Sequence, residues 1–139
     1  MSSDLYQAEL VKRARQAFGR GRLAAPSATV TLDNPLCGDR VTLDIRKIDA
    51  TVSAIGHEVR GCLLCEAAAA TIAESGRGLD PTELRAMAAE ATALMKDGTP
   101  PSDKFDSLRV FTPVHGAKSR RDCVLLPFEA LRKALDATA

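Results

Sequence analysis

The sequence predicts an α+β fold, a small antiparallel sheet with helices packed on one face. Three observations predict it. Apolar residues near the N-terminus recur at helical spacing. Two adjacent segments between residues 40 and 60 alternate apolar and polar side chains across a two-residue turn. Beyond residue 61 only helical patterns follow, two of them with start or stop signals. Sheet first and helices afterwards favours a segregated architecture over a βαβ repeat.

Ser3-Asp4 followed by Leu5, Leu10, Val11, Ala14 and Phe18 predicts a capped amphipathic helix ending near Gly19-Arg20-Gly21. Leu23–Leu32 contains Pro26 and reads as extended, with Thr29–Leu32 a short strand. Asn34-Pro35-Leu36-Cys37-Gly38-Asp39 is a turn cluster. In Arg40–Ile48, Val41, Leu43 and Ile45 alternate with Thr42, Asp44 and Arg46, the pattern of a half-buried strand. Asp49-Ala50 turns the chain into Thr51–Arg60, the partner strand, with a phase break near Gly56 that suggests a bulge. Cys62–Glu74 is Ala-rich and predicts a buried helix closed by Gly76-Arg77-Gly78. Asp80 as N-cap and Pro81 at the first helical position start another helix running to about Lys96. Ser102–Arg109 is polar with Phe105 and Leu108. A last helix spans Cys123–Leu135, or begins only at Pro127.

The totals narrow the function classes. A chain of 139 residues fits one domain and can bury a core without disulfides. Aromatic content of 4% leaves that core to Leu, Val, Ile and Ala. A net charge of +1 argues against a nucleic-acid partner. The local basic run Lys12, Arg13, Arg15, Arg20 and Arg22 reads as a solvated helix face rather than a phosphate site. The polar start Met1–Gln16 favours neither a secretory signal nor a transit peptide, and no apolar run is long enough for a membrane span. The expectation is a cytoplasmic protein with no membrane partner. In that compartment four cysteines read as metal-binding or catalytic rather than as two disulfides.

Three of the four sit at element junctions: Cys37 in the turn before a strand, Cys62 between a strand and a helix, Cys123 at the start of the last helix. Junctions let side chains from distant segments converge while rigid elements hold them. Cys62 and Cys123 are also placed at helix N-termini, where unpaired N–H groups and the dipole favour the thiolate. Asp39, two residues after Cys37, adds a carboxylate. Three thiolates and one carboxylate make a tetrahedral zinc set; the same donors could hold a labile iron–sulfur cluster, the hard carboxylate suiting a cluster that must leave. Cys65, one helical turn beyond Cys62, points either at this site or into the core beside Ala68 and Ala69. His57 is expected to face solvent, and His115 lies in the loop before Cys123.

These pieces resemble the NifU/IscU/SufU scaffold family. Asn34-Pro35-Leu36-Cys37-Gly38-Asp39-Arg40 is similar to its first-cysteine motif, Gly61-Cys62 before a small-residue helix to its second, and Cys123 before Leu125, Leu126 and Phe128–Leu135 to its third. The resemblance runs from about Ala24 to Leu135. It implies a three-stranded SufE/IscU-like fold and one NifU-like N-terminal domain over 1–139. Cys62 follows Cys37 by 25 residues (62 − 37) and Cys123 follows Cys62 by 61 (123 − 62). The long second gap, holding Thr82–Thr112, resembles the SufU branch.

The resemblance further implies zinc or a nascent iron–sulfur cluster on Cys37, Asp39, Cys62 and Cys123, with Cys65 able to complete a four-thiolate set. It implies a pyridoxal-phosphate cysteine desulfurase as partner, Cys123 as candidate sulfur acceptor, and Arg120 as the supporting arginine three residues before it. The sequence departs from the family at Asp122, where IscU carries His and SufU carries Lys. Asp122 reads as the N-cap of the last helix ahead of an oxygen ligand. The functional expectation is an assembly scaffold or sulfur carrier rather than an enzyme. The competing readings are a structural zinc domain and a thiol–disulfide oxidoreductase using Cys62 and Cys65. The sequence is silent on oligomeric state, a homo-oligomer included.

Overall fold

The structure, a computed structural model, describes residues 3–36 and 38–138. Helix α1 (Ser3–Gln16) leads into strands β1 (Ala28–Asn34), β2 (Asp39–Ile48) and β3 (Thr51–Arg60). Helices α2 (Leu63–Gly76) and α3 (Pro81–Asp97), a 3-10 stretch (Asp103–Gly116) and helix α4 (Arg121–Ala137) follow. The strands form an antiparallel meander in the order β1-β2-β3. The α+β expectation holds. The cap read at Ser3-Asp4 falls outside the described side chains.

Alternation along β2 sends Val41, Leu43 and Ile45 into the core, all fully buried. Helices α2 and α4 pack on this side, α4 against β1 and β2 and α2 against β3. Ala67, Ala68, Ala69 and Ala70 are buried along α2, and their small side chains let α1 and α4 come close. A Cβ at Gly19 would stand 2.5 Å from that of Ala73, so the segment after α1 needs glycine to lie against α2. Helix α3 starts as expected, with a reciprocal capping box between Asp80 and Glu83 and Pro81 in the first turn.

The opposite face of the sheet is not bare. Asp44 points there, is fully buried, and accepts from Arg22 Nε at 2.7 Å, the Leu23 N–H at 2.9 Å and Thr29 Oγ1 at 2.6 Å. The basic run is therefore not one solvated helix face. Arg22 lies beyond α1 and neutralises a buried carboxylate, while Arg13 donates to Glu9, Thr71 and the Ser107 carbonyl.

The bulge lies elsewhere than expected. The β2–β3 register shifts between Arg46 and Lys47, where Arg46 pairs with Ala54 and Lys47 with Val52, leaving Ser53 as the extra residue. With a period of two, a break at Ser53 puts Ile55, His57 and Val59 on one face. His57 is therefore core-facing and 3% exposed, not solvent-facing. Its Nε2 lies 2.7 Å from the Phe18 carbonyl, which can only accept, so Nε2 carries the proton. Nδ1 is buried with no partner among the described residues.

Two further boundaries differ. The polar segment after Ser102 forms a 3-10 stretch, Asp103–Gly116, kinked at Phe105. Such helices seldom run long. Here Phe105, Leu108, Val110, Phe111 and Val114 are buried, each contributing about 1.5–3 kcal/mol over exposure. Helix α4 begins at Arg121, six residues before Pro127, so Pro127 lies inside it. Having no N–H, Pro127 donates no hydrogen bond to the preceding turn.

Candidate metal centre

Asp39 opens β2, Cys62 is the N-cap residue of α2, and Cys123 stands in the first turn of α4. The chain thus delivers them from three separate elements, as the junction argument expects. One ligand atom from each, a carboxylate oxygen and two sulfurs, lies within 4.8 Å of the others. Asp39 is 2% exposed and Cys123 5%, whereas Cys62 is half-buried, so the cluster opens to solvent past Cys62.

Asp39 does more than offer an oxygen. Its Oδ1 accepts the Cys62 N–H at 2.9 Å, capping α2 from a neighbouring strand, and its Oδ2 lies 3.7 Å from Cys62 Sγ. No side chain from the Cys62 position itself caps the helix. This approach requires Gly61. A Cβ there would stand 2.2 Å from Asp39 Oδ1 and 2.7 Å from Cγ, inside any tolerable contact. The sequence marks Gly61 as part of the Gly61-Cys62 motif, but its contact with Asp39 comes from the pairing of separate elements.

Cys37 lies outside the described residues. Among the described residues on either side, the Gly38 N–H bonds the Asn34 carbonyl at 2.8 Å and the Leu36 N–H bonds Asn34 Oδ1 at 3.1 Å. Gly38 has φ +76°, the left-handed conformation that favours glycine. Leu36 projects into solvent, 91% exposed. Two sulfurs and a carboxylate oxygen are the donor chemistry of zinc sites, which take a fourth ligand.

The fold has counterparts. The N-terminal part of a nitrogen-fixing NifU-like protein from Brucella abortus superposes with a TM-score of 0.90 at 30% identity, over 97% of this chain and 94% of that one. The chain belongs to the NifU/IscU/SufU scaffold family. The iron–sulfur cluster assembly scaffold protein IscU of Thermotoga maritima is 23% identical over 131 residues, 94% of this chain and 92% of that protein. IscU of Streptococcus pyogenes serotype M1 is 24% identical over 136 residues, 97% of this chain and 85% of that protein. No family model matches the chain.

The other described residues singled out within this NifU/IscU/SufU chain are not among the three converging ligands. Cys65 is fully buried in the hydrophobic core and is not among the three converging ligands. Asp122 is exposed in the first turn of α4 and is not its N-cap; Arg120 holds that position without a side-chain cap, because the helix starts two residues earlier than expected. Asp122 lines a shallow pocket with Asp33, Asn34, Pro35, Leu126 and Glu129. Arg120 is exposed and borders an apolar groove with Leu63, Leu64, Pro113 and Val114. His115 stays out of the cluster: its Nδ1 bonds the Met95 carbonyl at 2.8 Å and its ring covers Gly98. Among the described residues no helix is long and apolar enough to cross a membrane.

Proposed function

We propose that this chain, as one NifU-like domain over 1–139, is an iron–sulfur cluster assembly scaffold that receives sulfur from a pyridoxal-phosphate cysteine desulfurase in the cytoplasm. The observation that carries the reading is the convergence of Asp39, Cys62 and Cys123 within 4.8 Å, from three elements of a family whose curated members carry that name. Cys37 is the proposed fourth ligand, and zinc the proposed resting occupant of the set. The 61-residue spacing (123 − 62) between Cys62 and Cys123, filled by α2, α3 and the 3-10 stretch, supports the SufU-like branch.

Sulfur enters by thiol exchange. A scaffold thiolate attacks the terminal sulfur of the desulfurase persulfide; one S–S bond forms as another breaks, and the desulfurase cysteine leaves as its thiolate. Cys123 is the proposed acceptor, with Arg120 three residues before it supplying positive charge against the anionic thiols. The desulfurase would dock over the exposed segment 112–121 and the flanking apolar side chains Leu36 and Leu63, 91% and 39% exposed. Full burial of Cys65 disfavours the dithiol oxidoreductase reading, which needs an accessible second thiol.

The test is anaerobic incubation with a cysteine desulfurase, cysteine and ferrous iron, with and without a thiol reductant to take persulfide sulfur to sulfide, followed by iron, zinc, persulfide and acid-labile sulfide analysis. The expected result is sulfide gained together with iron, or a protein persulfide gained with zinc retained. Zinc that stays with neither sulfide nor persulfide acquired overturns the proposal in favour of a zinc-stapled domain.

A further inference from the structure

A second site lies on the sheet face opposite the helices. Arg20, Arg40 and Arg60 line one pocket of about 290 Å³ with Thr42, Val59 and Glu58. Arg40 and Arg60 are directly opposed across β2 and β3. Like charges so placed repel, costing roughly 0.2–1 kcal/mol. Arg40 is partly neutralised from the far side by Asp33, whose Oδ1 lies 2.6 Å from its Nε. Arg20 and Arg60 make no side-chain hydrogen bond or ion pair with the described residues. Glu58 is the single acid in the lining, so three guanidinium groups face one carboxylate.

The pocket is built rather than incidental. Arg20 sits in the loop after α1, but its backbone is tied to β3 by the Gly21 N–H on the His57 carbonyl at 2.8 Å and the His57 N–H on the Gly19 carbonyl at 3.3 Å. Arg40 and Arg60 stand on adjacent paired strands, which fix their spacing. Guanidinium groups present planar forks that match carboxylate and phosphate oxygens. The volume is too small for a folded partner and ample for a compact anion.

We propose that this pocket binds a small polyanion, one carrying two or more carboxylate or phosphate groups, gripped by Arg20, Arg40 and Arg60. The site is independent of the ligand cluster, although Arg40 directly follows Asp39 and Arg60 precedes Gly61-Cys62. Side chains alternate along a strand, so the anion would lie on the other face of the sheet end that carries the cluster.

Calorimetric titration of the intact protein with citrate, pyrophosphate, inorganic phosphate and succinate tests this at physiological ionic strength. Saturable one-to-one binding of citrate or pyrophosphate is expected, and their ratio tells a carboxylate from a phosphate ligand. Arg20→Gln and Arg60→Gln, both at exposed side chains, should each weaken binding about tenfold. Glu58→Gln should tighten it severalfold. Lys133→Gln, on the far helix α4, should leave it unchanged, and Cys62→Ser should bind as well as wild type, which separates this result from any failure of the scaffold reading. Absence of saturable binding by every anion, or equal losses in the Arg60→Gln and Lys133→Gln variants, overturns the proposal.

Discussion

The Asp39 carboxylate accepts the backbone N–H of Cys62 at 2.9 Å while its other oxygen lies 3.7 Å from the Cys62 sulfur. One side chain therefore both ends the sheet and starts the helix that presents a ligand. Its two duties can be separated. Asp39→Asn keeps a carbonyl oxygen for the N–H but removes the charge. Metal affinity should fall at least tenfold while unfolding stability changes by no more than about 1 kcal/mol. Zinc competition titration beside urea unfolding measures both; equal metal affinity in the variant would show that Asp39 is not a ligand.

Gly61→Ala places a methyl group 2.2 Å from the Asp39 carboxylate oxygen. Something must move, and the contact most exposed to that movement is the Asp39–Cys62 pair. We expect a loss of about 1–3 kcal/mol in stability and a larger proportional loss in metal binding. Thermal unfolding with and without zinc measures the two; a variant matching wild type in both would contradict this geometry.

Asp44 anchors the second face of the sheet. Burial pushes its carboxyl pKa up, but the hydrogen bonds from Arg22, Thr29 and the Leu23 N–H outweigh it and hold it below its ordinary value of 3.8. Its contribution to stability is present above that value and is lost as pH falls through the lower, folded one. Asp44→Ala removes the shared acceptor of Arg22, Thr29 and the Leu23 N–H; Arg22 is half exposed and stays hydrated, so the loss should be about 1–3 kcal/mol by urea unfolding at neutral pH.

His57 acts in a higher pH window. Burial holds its pKa below the ordinary 6.5, with the Phe18 carbonyl opposing. Protonation would add a charge at Nδ1, which is buried without a partner among the described residues. The unfolded chain takes up that proton first, so stability falls as pH drops from about 6.5 toward the folded value. Urea unfolding across pH 5–7 should show this slope in wild type and a flatter one in His57→Phe; parallel curves would contradict it.

Much of this was legible because the signals were local. Alternation in Arg40–Ile48 located β2, and Asp80-Pro81-Thr82-Glu83 located the start of α3 through capping chemistry alone. Junction placement singled out Cys62 and Cys123, and proximity to Cys37 singled out Asp39; these three converge. The misses came from tertiary partners. The change of phase in β3 was visible, but nothing local chose Ser53 over Gly56, and that choice decides which way His57 faces. The 3-10 stretch reads as polar until its five buried apolar side chains meet the core. Arg120 displaced Asp122 as N-cap because α4 starts where a short 3-10 turn, Lys118–Arg120, delivers the chain, not at the best capping residue. The arginine pocket was invisible because it joins residues 20, 40 and 60 through strand pairing and one loop.

The central claim is that Cys37, Asp39, Cys62 and Cys123 form one ligand set. X-ray absorption spectroscopy of the zinc-loaded protein tests it most directly. The prediction is three sulfur ligands at about 2.3 Å and one oxygen at about 2.0–2.2 Å, with one sulfur lost in Cys62→Ser and none in Cys65→Ser. Four sulfur ligands, or a sulfur lost with Cys65, would contradict it.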